Sequence, residues 1–420
     1  RASTVKSLPR DSLDATAAFL GIVGHFLLML TASVETADLF RDHLDWTVLS
    51  TISVVGRWGF PVAAIWALYG AGLTWTGLRL DRTAARSLGL VSLGVGLSVT
   101  AVVILFGTPD ARRLFLNTRF LGACLVAAAF FLASRFHRAL KKRESPGTKP
   151  DPLHGATTIA HLLVMILLTL EAADLFRTHL TWRPDSALSV VGGWHFPVAA
   201  IWGVYGLCLF AVGVRLDRKS PRGLGLWSVA LGAALSLAFA LTDGQEAKAL
   251  FLNTRFLGAG LAGFALFAIV GIYRMRGAGI EPAFHFGKAR EADALIAPLS
   301  LLAHAFAIVF CTLEINDFIN TFYRPADSGG WLEQKDWKRL SFSLFWTLYA
   351  AGMVASGFIR KFKPIRLMAL VILAATTLKI FLIDLSFLKN PFRFLSFIAL
   401  GVLLVLVSFL YQKFKDRLLG

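Results

Sequence analysis

The chain has 420 residues, of which 56% are hydrophobic and 16% charged, with a mean hydropathy of +0.64 and a formal net charge of +17. Such proportions exclude an ordinary soluble globular protein, and no stretch between the apolar runs is long enough to fold a catalytic or nucleotide-binding domain. The positive charge sits in short loops between those runs, which points to a membrane protein and away from a nucleic-acid partner.

The runs are mostly long enough to cross a hydrocarbon layer of about 30 Å as helices. In chain order they fall near residues 15–39, 59–78, 87–107 and 120–136, then 155–175, 195–214, 223–242 and 256–273, then 297–318, 342–359, 367–387 and 394–412. Lipid offers the backbone no hydrogen bonds, and the runs lack the alternation of a barrel, so helices are expected. The expected fold class is therefore all-α, a polytopic membrane protein of about 12 transmembrane helices arranged as three parallel four-helix repeats.

The repeat is visible in the residues. Residues 35–82 align with 171–218 at an offset of 136 with no gap, and 30 of those 48 positions are identical. LFLNTRFLGA occurs at both 114–123 and 250–259. A more diverged third copy keeps Glu314, Asp317, Trp346, Tyr349, Arg366 and Arg393 in the same order. These correspondences give repeat units at 1–138, 139–276 and 277–420. Residues 137–154 and 274–293 read as basic connectors between them, and 319–341 as a loop whose Trp331, Trp337, Lys335 and Lys338 lie along the membrane surface.

With both termini cytoplasmic, the inner segments carry 27 of the 43 Lys and Arg, so that orientation in the inner (plasma) membrane is expected. The chain begins at Arg1 with no signal-peptide pattern and reads as part of a longer protein.

Each copy opens with the same ionisable pattern: His25, Glu35 and Asp38; His161, Glu171 and Asp174; His304, Glu314 and Asp317. Ionisable side chains within apolar runs are costly and mark candidate sites. The two acids share a helical face and lie at a helix C-terminus, where the macrodipole disfavours anions, so nearby cations are required. Arg41, Arg119, Arg177, Arg255 and Arg393 are the available partners. An acid–arginine clamp between the first and fourth helices of each unit is the leading expectation, and a charged outward-facing binding site the alternative. The histidines lie about 15 Å from the acids along the helix, too far for a shared metal, and are expected to hydrogen-bond between helices.

Trp66 and Tyr69, Trp202 and Tyr205, and Trp346 and Tyr349 form aromatic pairs for core packing. Asn117 and Asn253 read as helix caps, and Gly89, Gly94 and Gly96 as small residues for close helix contact. Cys124, Cys208 and Cys311 share no spacing and suggest neither a disulfide nor a metal site. Only the third copy has an intramembrane lysine, Lys379, with Asp384, Glu314 or Asp317 as its partner. A candidate polar site is accordingly expected there from Glu314, Asp317, Lys379, Asp384, Arg393 and His304. No catalytic residues, metal or cofactor are expected, since no P-loop, HExxH, GxSxG or CxxC motif occurs.

Residues 377–418 carry a further signal in Lys379, Asp384, Leu385, Arg393, Ser396, Phe397, Gly401, Tyr411 and Gln412. This ending resembles that of a bacterial family of multispanning membrane proteins, domain-of-unknown-function family 2339. The resemblance implies a long many-helix envelope protein and assigns no residue a role. The leading expectation from the sequence is a transport-like protein with a charged outer-facing site; the alternatives are a structural or partner-organising scaffold and an envelope transferase acting on lipid-linked glycosyl or acyl groups. The lipid bilayer is the expected partner, with other envelope proteins besides it and the small-molecule ligand unspecified.

Overall fold

A computed structural model describes residues 10–40, 58–106, 114–141, 155–179, 193–242, 249–276, 284, 290–323, 333–384, 398, 402 and 405. Among them every regular element is helical. The helices are α1 (Arg10–Asp38), α2 (Gly59–Arg79), α3 (Thr83–Leu105), α4 (Thr118–Lys141), α5 (Ala156–Asp174), α6 (His195–Arg215), α7 (Lys219–Thr242), α8 (Thr254–Arg276), α9 (Glu291–Phe322), α10 (Gln334–Ile359) and α11 (Lys363–Leu382). Ten of these are long and apolar enough to cross a membrane, and α2 is not among the ten. The expected run at 394–412, with Arg393 before it, lies outside the described residues, as do Arg41 and Trp331.

One expectation needs correction. Trp337, Lys335 and Lys338 do not lie on a separate surface segment; they belong to α10, which starts at Gln334. The reason is local. Glu333 and Asp336 form a reciprocal capping box that satisfies the first backbone donors eight residues before the apolar run begins.

The chain divides into two compact units, Arg1–Thr181 and Trp182–Gly420. In the first, α2 packs on α3 and α4, α4 on α5, and α1 on α2. In the second, α6 packs on α7 and α8, α8 on α9, and α10 on α11 and α9. The α2–α5 and α6–α9 groups thus use the same neighbour pairs.

Close helix contact is built from glycine. A Cβ on Gly70 would meet the Gly89 carbonyl and the Leu93 nitrogen at 2.7 Å, and one on Gly206 would meet the Gly225 carbonyl at 2.7 Å. Gly96 also faces α2, against the Ala63 carbonyl at 2.8 Å, whereas Gly94 has nothing within 4 Å and takes no part in the contact. In lipid such close approach stabilises through dispersion and not through water release.

The tight turns after α2, α6 and α10 are closed alike. Asp81, Asp217 and Lys361 take left-handed backbone (φ 49°, 46° and 50°), and the next N–H reaches back to Gly77, Gly213 or Gly357 at 2.8–2.9 Å. This six-to-one closure ends each helix and turns the chain straight into the next.

Gly206→Val is expected to cost about 1–3 kcal/mol through overpacking. Gly72→Val, with nothing within 4 Å, should cost well under half of that. Thermal unfolding of the two detergent-solubilised variants checks the difference.

Candidate functional site

The acids of α5 and α9 are the most buried ionisable groups in the membrane-spanning region that share one pattern. Glu171 is 2% exposed and Glu314 1%, at the C-terminal part of α5 and within α9. Burying a carboxylate costs several kcal/mol unless charge and hydrogen bonds compensate. Both are compensated by one local design at the N-terminus of the preceding helix.

In that design Arg119 Nη2 donates to Glu171 Oε1 at 2.7 Å and to Asp174 Oδ2 at 2.5 Å. Asn117 Nδ2 donates to both Glu171 oxygens at 3.0 and 3.2 Å, and the Phe115 N–H donates to Oε2 at 2.7 Å. The second copy is the same. Arg255 Nη2 reaches Glu314 at 3.0 Å and Asp317 at 2.5 Å, Asn253 reaches Glu314 at 3.1 and 2.9 Å, and the Phe251 N–H donates at 3.0 Å.

The asparagine serves two ends. Its Oδ1 accepts the N–H of Phe120 (from Asn117) or Phe256 (from Asn253) at 2.7 Å, capping α4 or α8, while its amide holds the acid. Sequence alone shows the cap and misses the second role. Phe115 and Phe251 adopt left-handed backbone (φ 61° and 57°), which bulky residues rarely take. The strained conformation aims an N–H at the carboxylate, and the local cost of about 1–3 kcal/mol is sustained by the network around it.

The helix ends explain the charge placement. An acid at the C-terminus of α5 and an arginine at the N-terminus of α4 each oppose their own helix dipole. Side by side, each charge sits at the end of its neighbour that favours it. After Asp174 the helix widens into a π turn, Leu175–His179, and the matching Leu39–Phe40 after Asp38 widens likewise.

The pairing corrects the expected clamp. Arg119 does not hold the acids of its own copy, Glu35 and Asp38, nor does Arg255 hold Glu171 and Asp174. Each arginine takes the acids of the following copy, 52 to 62 residues ahead. The physical reason is adjacency: α4 packs on α5 and α8 on α9, through the connectors that join consecutive copies. Arg177, on the π turn, is exposed.

Of the six residues expected to form one polar site in the third copy, Arg393 lies outside the described residues and the other five fall into separate groups. Glu314 and Asp317 belong to the Arg255 network. Lys379 Nζ donates to Asp384 Oδ1 at 2.7 Å, Ser343 Oγ at 2.7 Å and the Arg339 carbonyl at 3.0 Å, and Ser343 in turn donates to Asp384. Asp384 is therefore the partner of Lys379, and Ser343, unnoticed in the sequence, completes the triad. His304 hydrogen-bonds the Tyr349 hydroxyl at 2.9 Å and meets Phe267 edge-on, at a centroid distance of 5.0 Å.

His25 likewise bonds Tyr69, and His161 meets Phe131 edge-on at 4.9 Å. Trp66 Nε1 donates to Ser33 at 2.8 Å and Trp346 Nε1 to Thr312 at 2.9 Å. The aromatic pairs thus pin α1 to α2 and α9 to α10 by their polar tips. Cys124, Cys208 and Cys311 are free thiols, and no cluster of three metal-ligating side chains occurs among the described residues.

Removing one member of a buried ion pair strands the other. Arg119→Ala and Glu171→Gln are each expected to cost about 3–5 kcal/mol. Asn117→Ala should cost about 1–3 kcal/mol through the lost cap and an unmet carboxylate oxygen. Chemical unfolding of the purified variants in mild detergent measures all three.

No curated protein and no solved structure matches the chain. One family model does, described as "Predicted membrane protein", domain of unknown function 2339, over residues 57–414. That match spans most of the sequence, from before α2 to beyond the last described helix, and the chain belongs to this family of membrane proteins of unknown function.

Proposed function

We propose that this chain is a structural membrane scaffold whose four-helix repeats are tied in series by buried acid–arginine clamps. The observation that carries this reading is the saturation of Glu171 and Glu314. Each carboxylate is held by an arginine, an asparagine amide and a backbone N–H, leaving little capacity for a ligand. A binding or conduction site needs groups that exchange partners, whereas these are fixed on both sides of a helix pair. By the Lys and Arg distribution, the clamps face the outside of the inner membrane and both termini the cytoplasm.

One observation favours a second, transport-like reading. The Lys379 side chain is 19% exposed while its partner Asp384 is fully buried, so the pair opens to one side. An ion-paired lysine within a membrane span is a proton- or ion-handling element in many membrane proteins.

Proteoliposomes separate the two. The scaffold reading predicts that wild-type chain adds no ion or proton flux above empty vesicles. It also predicts that Lys379→Met and Arg119→Ala alter unfolding without altering permeability. A wild-type flux lost in Lys379→Met but retained in an equally stable control would establish transport and end the scaffold reading.

A further inference from the structure

Three copies of one acid-bearing helix occur in the chain, and their matching faces meet different fates. On α5 the stripe Ala160, Leu163, Leu167 and Glu171 is buried to 0%, 5%, 1% and 2% exposure. On α9 the equivalent stripe Ala303, Phe306, Phe310 and Glu314 is buried to 0%, 5%, 4% and 1%. The covering elements are α4 and α8, helices that open with Asn-Thr-Arg. On α1 the equivalent residues are Gly24, Leu27, Thr31 and Glu35, and all four are exposed.

The opposite side of α1 is occupied. His25 bonds Tyr69, Ser33 accepts from Trp66, and Met29 is 3% exposed, all against α2. At 100° per residue the Gly24–Glu35 stripe lies roughly opposite, about 150° around the helix. Gly24 has nothing within 4 Å of where a Cβ would stand.

Exposed leucines on a membrane helix are satisfied by lipid, so apolar exposure alone points to no partner. Glu35 is different. It has no hydrogen-bond or ion-pair partner among the described residues, it is exposed, and it lies at the C-terminal end of α1, where the dipole disfavours an anion. Its two counterparts define what such a glutamate takes.

We propose that the Gly24, Leu27, Thr31 and Glu35 face of α1 docks a membrane helix of the α4 and α8 kind, supplied by a further module of this type. That helix opens with an asparagine cap and an arginine two residues later, and it places small residues against Gly24 and Leu27. The charge complementarity is the one already met twice in the chain. Arginine and asparagine amide meet the carboxylate, and the positive helix N-terminus meets the negative C-terminus of α1. This inference rests on the scaffold reading, since it extends the same serial clamping to the exposed face of α1.

The test uses the whole chain in lipid nanodiscs and, as probe, a fluorescent synthetic peptide of residues 114–141. A photo-crosslinking residue replaces Leu27 to report where the peptide lands. The expected result is saturable capture with adducts at position 27, weakened tenfold or more by Glu35→Gln in the protein or by Arg119→Ala in the peptide. Undiminished capture by either variant would overturn the proposal, as would no adduct at position 27. A chain that conducts ions yet captures the peptide through Glu35 would sink the scaffold reading and leave this docking surface standing. A silent chain that ignores the peptide would do the reverse.

Discussion

The arrangement of this chain depends on how a buried acid can find hydrogen-bond partners inside a helical membrane protein. Lipid supplies no hydrogen bonds and little dielectric screening, so each acid must find its full complement of donors within the protein. Glu171 and Glu314 find it at one place, the N-terminus of the preceding helix, where arginine, asparagine and a bent backbone N–H converge. Helix dipoles add to the attraction because the paired helices run antiparallel. The interaction ties helices that adjacency already brings together, and glycine contacts set how closely the rest approach.

Buried ion pairs are not a cheap source of stability, and apolar replacements often match them. What they supply is registry: an arginine whose Nη2 donates to two carboxylates one turn apart fits them in one axial position, whereas leucines slide. The shared geometry of the two clamps, down to the left-handed Phe115 and Phe251, supports the proposed role in fixing the register of α4 with α5 and of α8 with α9. The histidine–tyrosine and tryptophan–hydroxyl bonds on the other side of α1 and α9 serve the same end with neutral groups.

Much of this was legible in the sequence. Long apolar runs account for the helices, and the repeated His, Glu, Asp pattern includes the acids that the structure buries in ion pairs. The helix-end argument points to arginines as partners, and Arg119 and Arg255 take that role. What could not be read was which arginine meets which acid, because repeats make every copy's partner look equally suitable. Adjacency in the fold decides it, and α4 lies on α5. The second role of Asn117 was hidden for a similar reason: its capping oxygen is a local signal, whereas its amide acts on a residue 54 positions away. Ser343 carries no signal in an apolar run at all until Lys379 and Asp384 are brought beside it.

The central claim is that clamps join consecutive copies and not helices of the same copy. A pair of double-mutant cycles on unfolding free energy tests it most directly, one on Arg119 with Glu171 and one on Arg119 with Glu35. The account predicts a coupling of about 1–3 kcal/mol in the first cycle and additivity within about 0.5 kcal/mol in the second. Additivity in the first with coupling in the second would place the clamp within a single copy and contradict the account.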